Sequence, residues 1–204
     1  MFMVRYWGYL AVFAILISAC SPSTSLSDAN AAPPPTAQTS RGSSPTSEQM
    51  SLLKSLKRQG AAPELSNQVW FNSPPLKLAD LRGQVVVIDF WTFGCINCIH
   101  VIPSLREWYS KYKDQGLVII GVHSPEFDYE KDLNNVKDAI ARLGVTYPVA
   151  IDNDFRIWRA YRNQYWPTMY FVDKTDQLRY VRIGEGDYEQ SGQIIRALLA
   201  ESVP

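Results

Sequence analysis

Val85-Val86-Val87-Ile88-Asp89-Phe90-Trp91 is a short β-branched run, apolar but for Asp89, and such a run predicts a strand buried on both faces. Thr92-Phe93-Gly94 then leads into Cys95-Ile96-Asn97-Cys98, and helical character follows from Ile96 to Lys113. Beyond it, Leu117 to Val122 reads as a second apolar strand. Tyr129 to Leu143 carries Leu133, Val136, Ile140 and Leu143 at helical spacing, with Gly144 as the stop. A strand at Tyr147 to Ile151 and a short helix at Phe155 to Tyr161 come next. Thr168 to Val172 and Leu178 to Ile183 form a hairpin pair around Asp173 to Gln177, and Tyr188 to Ala200 closes the chain as an amphipathic helix. Strands alternating with helices predict an α/β domain, a central mixed sheet with helices on both faces.

Composition bounds the partners. The 204 residues are 46% hydrophobic and 20% charged, enough for a packed core. Lys plus Arg and Asp plus Glu stand at 20 each, so the net charge is zero, and the basic footprint that nucleic acid demands is absent.

The first twenty residues read as an export signal: Arg5, an apolar run from Tyr6 to Ile17, then the small residues Ser18 and Ala19. Ile17-Ser18-Ala19-Cys20 resembles the lipobox of bacterial lipoproteins. That resemblance implies cleavage after residue 19 and a lipid on the Cys20 sulfur, anchoring the protein to a membrane outside the cytoplasm. An ordinary signal peptide and an uncleaved anchor are the competing readings, and both also export the chain. Residues 20–59 are expected to form a tether rich in Ser, Thr, Pro and Ala. Within it, Glu48 to Gln59 is either a short helix or more tether, and the folded domain is expected over 60–204.

Three cysteines make no disulfide framework, which leaves Cys95 and Cys98 to explain. A cysteine at a helix N-terminus faces unpaired backbone N–H groups and the positive end of the helix dipole, and both favour thiolate. Spacing of three residues puts the second sulfur one turn on, within reach of a disulfide. The reading is that Cys95 attacks and Cys98 resolves. Competing readings are structural zinc, for which His100 points away and ligands run short; a Cu(I)-handling or scaffolding module using the dithiol and His123; and a peroxidase built on Thr92. Asp89, costly to bury as an ion, is expected to have a raised pKa and to accept the Cys98 proton; a backbone N–H partner is the bland alternative.

At these residues the chain resembles the thioredoxin superfamily, and within it the exported TlpA and ResA type and the DipZ-type subset. Asp89 and Trp91 match the acid and aromatic ahead of the dithiol, Pro103 the proline inside the active-site helix, and Trp166-Pro167-Thr168 the loop whose proline faces the sulfurs. The segments Trp91 to Pro103, Gly121 to Phe127 and Gly184-Glu185-Gly186 look DipZ-type. The resemblance covers roughly Ala61 to Glu201 and implies a thioredoxin-like fold and thiol-disulfide exchange with client proteins. Its site residues would be Cys95, Cys98, Asp89 and Pro167, with Trp91, Trp166, Ile96 and Asn97 touching substrate; core packing for Trp91, and a mere cover over the site for Trp166, are the alternatives. It further implies a membrane electron carrier of the DsbD or CcdA kind as the source of reducing power; no cofactor beyond the Cys95–Cys98 disulfide and no metal are expected, and, with no dimerisation segment to be seen, a monomer. Gly94 and the Ile96-Asn97 pair depart from thioredoxin's residues, so a redox potential does not transfer.

Overall fold

The computed structural model describes residues 44–202; the signal, Cys20 and most of the expected tether lie outside the described residues. Among the described residues no helix is long and apolar enough to cross a membrane. Strand β1 is Trp70–Phe71, β2 Val85–Trp91, β3 Leu117–His123, β4 Val149–Ile151, β5 Thr168–Val172 and β6 Leu178–Ile183. They form one sheet in the order β1-β4-β3-β2-β5-β6. Pairs β2–β3 and β3–β4 are parallel, while β1–β4, β2–β5 and β5–β6 are antiparallel, so the sheet is mixed as expected. Helices are α1 Ser47–Ser55, α2 Ile96–Tyr112, α3 Leu133–Leu143, α4 Arg156–Ala160 and α5 Tyr188–Ala200.

Every residue of β2 is buried, because the strand is central and both its faces carry cores. Val85, Val87 and Trp91 pack with α2, α3 and α5 through Val101, Leu105, Val136, Ile140, Ile194 and Leu198. Val86, Ile88 and Phe90 face the other way, onto Ile157, Tyr161, Leu65 and Leu78. Helices thus flank both faces, with the three longest on one.

Two boundaries differ from expectation, and one strand was not foreseen. The domain begins before residue 60: Thr46 and Gln49 form a reciprocal capping box that starts α1, and Leu52, Leu53 and Leu56 pack on the main core. The buried Arg179 guanidinium donates to the Leu53 and Leu56 carbonyls. Residues 59–61 run along β6, where Gln59 N–H donates to the Leu178 carbonyl and Leu178 N–H to that of Gly60, which shields part of the sheet edge. The third helix starts at 133 rather than 129, because the Asp132 side chain accepts from the N–H groups of Asn134 and Asn135 and sets the cap there. Strand β1 was not readable at all, since two half-buried residues show no period.

Candidate active site

The loops that follow β2 and β3 and the loop that precedes β5 meet at one end of the sheet, the carboxyl ends of two parallel strands, where α/β sheets collect their ligands. Cys95 is the N-cap of α2. Its Sγ accepts from Cys98 N–H at 3.4 Å, and its own N–H donates to the Thr92 carbonyl. Both cysteines are free thiols, Cys95 partly exposed and Cys98 buried. One sulfur is therefore presented to solvent and the other withheld. Burial, then the hydrogen bond with Cys95, pushes the Cys98 thiol far up, so it needs a base before it can attack.

Asp89 is the nearest candidate for that base. It is fully buried, neither carboxyl oxygen has a hydrogen-bond partner, and burial raises its pKa to about 7. The alternative of a satisfying backbone N–H is not what the structure holds. A carboxyl that titrates near neutrality takes and returns a proton with little bias, which suits general acid–base work.

Trp91 is a correction. It is fully buried, at 0% exposure, because the odd residues of β2 point into the helix-covered core, and a side chain there touches no substrate. Ile96 is 60% exposed and Asn97 is exposed beside the thiol. Trp166 is half-buried, held by its indole N–H donating to the Ser124 carbonyl and by packing on Trp158 at 4.2 Å between ring centroids. The Trp166–Pro167 peptide is cis, and Pro167 is buried.

His123 ends β3 and is fully buried. It shares a hydrogen bond with the Thr92 hydroxyl, stacks on Phe93, and burial lowers its pKa to about 4. Among the described residues no three His, Cys, Asp or Glu side chains converge as a metal-holding group. His100 turns outward to Glu185 of the Gly-Glu-Gly turn at 3.1 Å.

Sequence reasoning missed Glu130. Its buried carboxylate accepts from the N–H groups of Gly94, Glu126 and Phe127, and it thereby ties the residue before Cys95 to the loop after β3. Tyr129 stands alongside, and with Phe93 and Phe127 it forms an aromatic row beside the thiol. Glu130 sits in a stretch that reads as helix, where glutamate is unremarked; only Asp132 as an N-cap signals that the helix starts later.

Gly94 has no room for a side chain. A Cβ there would overlap Glu130 Oε1 and lie 2.7 Å from the Tyr129 hydroxyl. Gly94→Ala is expected to displace the Glu130 carboxylate and lose a charge-assisted hydrogen bond, costing about 2 kcal/mol in denaturant unfolding. A variant as stable as the parent would show that the loop yields freely.

The AhpC/TSA family profile matches residues 59–181. Protein DipZ of Mycobacterium tuberculosis (strain CDC 1551 / Oshkosh) is 46% identical over 149 residues, 71% of this chain and 21% of DipZ, so the chain spans about a fifth of that relative's length. Thiol-disulfide oxidoreductase YkuV of Bacillus subtilis (strain 168) is 29% identical over 72% of this chain and 99% of its own. Among solved structures, the solution structure of a thioredoxin-like protein in the oxidized form superposes with a TM-score of 0.65 and 30% identity, covering 72% of this chain and 98% of that one.

Proposed function

This chain belongs to the AhpC/TSA family and is a thioredoxin-like protein of the TlpA/ResA thiol-disulfide oxidoreductase type, and from that premise we propose that it exchanges two electrons with client proteins through a mixed disulfide at Cys95. The observation that carries this reading is the pairing of a part-exposed Cys95 at the start of α2 with a buried Cys98 that has an unpaired, near-neutral carboxyl on its own side of the sheet. In the reductive direction, the Cys95 thiolate attacks a client disulfide, forming a Cys95–client S–S bond and releasing one client thiolate. Asp89 then takes the Cys98 proton, Cys98 sulfur bonds to Cys95 sulfur, and the second client sulfur leaves with the electron pair. The client is reduced and the dithiol becomes a disulfide; the oxidative direction is the reverse. Ile96 and Asn97, exposed next to Cys95 in the chain, and Trp166 and Pro167 of the loop before β5 are proposed as client contacts. No cofactor or metal is assigned beyond the dithiol.

The address belongs to the same proposal. Residues 1–19 would be a lipoprotein signal and Cys20 the lipid-bearing residue, with a tether running to the domain at α1 and placing a monomeric oxidoreductase outside the cytoplasm on its membrane. Because that compartment is oxidising, a reductant there needs resupply, and a membrane electron carrier of the DsbD or CcdA kind is the proposed source. The test of the activity is stoichiometric: the fully reduced protein should reduce the disulfides of insulin and lose two alkylatable thiols, Cys95 and Cys98, per two electrons transferred. Retention of both thiols in the presence of excess insulin disulfide would overturn the reading.

A further inference from the structure

Near the dithiol, four side chains carry buried polar atoms without a partner: both carboxyl oxygens of Asp89, the indole Nε1 of Trp91, the hydroxyl of Tyr147 and Nδ1 of His123, which packs against Trp91. Buried polar atoms are normally paired, and an unpaired cluster on one side of one sheet is a cost that folds keep at working sites. Its assembly follows from register. Asp89 and Trp91 are odd residues of β2 and share the face on which Cys98 and Tyr147 are packed. Asp89 pairs across β3 with Gly121, and the missing side chain at 121 leaves a niche. Two groups enter it: a Cβ on Gly121 would lie 2.8 Å from Trp91 Nε1 and 3.3 Å from Tyr147 Cε2. The Trp91 N–H donor and the edge of the Tyr147 ring are thus brought over the strand position next to the buried carboxyl, whose charge also acts on the Tyr147 phenol. Across the other edge Asp89 pairs with Met169 of β5, which offers no donor.

We infer that Tyr147 is a positioning residue for proton transfer between Cys98 and Asp89, its hydroxyl donating to the Asp89 carboxylate whenever that group is ionised, with the Trp91 indole N–H as the second donor. The inference rests on the exchange chemistry proposed above and deepens it. Before resolution, the carboxylate is held by the two donors and aimed at the Cys98 thiol. During resolution the Cys98 S–H bond breaks, an Asp89 O–H bond forms, the Cys98 sulfur bonds to Cys95 and the client sulfur leaves with the electron pair of the broken mixed disulfide. Tyr147 donates throughout and gives up no proton, since burial keeps its phenol protonated well above the ordinary range. The other ionisable groups around the site are Cys98 on α2 with Cys95 beyond it, Arg106 of α2, whose charge acts on Tyr147, and the neutral His123 beside Trp91. Among the described residues no cation pairs with Asp89, so the two uncharged donors are what the fold supplies to the ionised form.

Tyr147→Phe tests this without threatening the fold, because it removes a hydroxyl that has no partner and keeps the ring. Thermal unfolding at pH 5, where Asp89 is protonated, is expected at or above the parent's midpoint. The Asp89 carboxyl titration, followed by infrared or carbon NMR on the intact protein, is expected to move upward by roughly half to one pH unit. The acid limb of insulin-disulfide reduction should move with it, giving a threefold to tenfold slower rate at pH values below both midpoints. Gly121→Ala, which would push the indole and the ring out of the niche, should shift the same titration in the same direction. An Asp89 titration unchanged in Tyr147→Phe overturns the inference even where the parent turns over normally. If the parent itself reduces no disulfide, the functional reading fails, and with it Tyr147's part in any proton transfer.

Discussion

Cys95→Ser is expected to abolish insulin-disulfide reduction, and Cys98→Ser to convert the protein into a covalent trap. The asymmetry comes from position. Cys95 caps α2 and is the sulfur that solvent reaches, while Cys98 is 1% exposed and its thiol is pushed far up by burial, so only Cys95 can make the first attack on a protein disulfide. Its loss should remove turnover to the level of the uncatalysed reaction. Without Cys98 the first step still runs, but nothing displaces the client from Cys95, and a mixed disulfide accumulates that is visible as a reductant-sensitive adduct on non-reducing gels. A Cys98→Ser protein that keeps full activity and captures nothing would contradict the order of attack.

Asp89→Asn is expected to make the protein more stable and slower at once. The folded carboxyl titrates at about 7 against an ordinary 3.8, the shift coming from burial. A carboxyl raised on folding contributes stability below its unfolded pKa and loses it as pH climbs through the folded value. The native protein therefore weakens between about pH 4 and pH 7 on account of this group, by on the order of 4 kcal/mol at the full shift. Asparagine carries no such charge, although its amide is itself buried without partners, so a gain of roughly 2 to 3 kcal/mol at pH 8 is expected, fading toward zero by pH 4. Denaturant unfolding at the two pH values measures it. Resolution of the mixed disulfide should slow by about 10²-fold or more and lose its inflection near pH 7. An Asp89→Asn protein less stable than the parent at pH 8 would show that burial of the ionised carboxyl carries no net cost in the folded protein.

Much of this was legible in the chain because the decisive residues sit on elements with strong local signatures. The β2 run, apolar but for Asp89, reads as a central strand, and the Cys95-to-Cys98 spacing together with a following helix placed one thiol at a cap and one inside. Asp89 stood out as the single charge in a buried run. Trp91 could be read as core or as substrate platform, because an aromatic four residues before a nucleophile suits either; strand parity decides, pointing it with Val85 and Val87 into the core. Glu130 and Tyr147 were invisible for another reason. Neither lies near the dithiol in sequence, and each acquires its role through a contact that only the folded chain makes: Glu130 through the Gly94 N–H and Tyr147 through the space over Gly121. The early start of the domain was obscured by composition, since α1 follows directly on a Ser/Thr/Pro-rich stretch and only its capping box and three leucines mark it out.

The central claim is that Cys95 and Cys98 form a reversible two-electron couple. Equilibrating the protein with dithiol–disulfide buffers of graded potential, quenching with an alkylating mass tag and counting tags on these two residues tests it most directly. A single transition is expected, in which both thiols are tagged together when reduced and neither when oxidised, with a slope of about 30 mV per decade and a midpoint between roughly −120 and −300 mV. A midpoint near or below about −270 mV would make the protein a reductant of its clients, and one near −120 mV an oxidant. Thiols that titrate separately, or that stay tagged across the whole range, would contradict the couple and the function built on it.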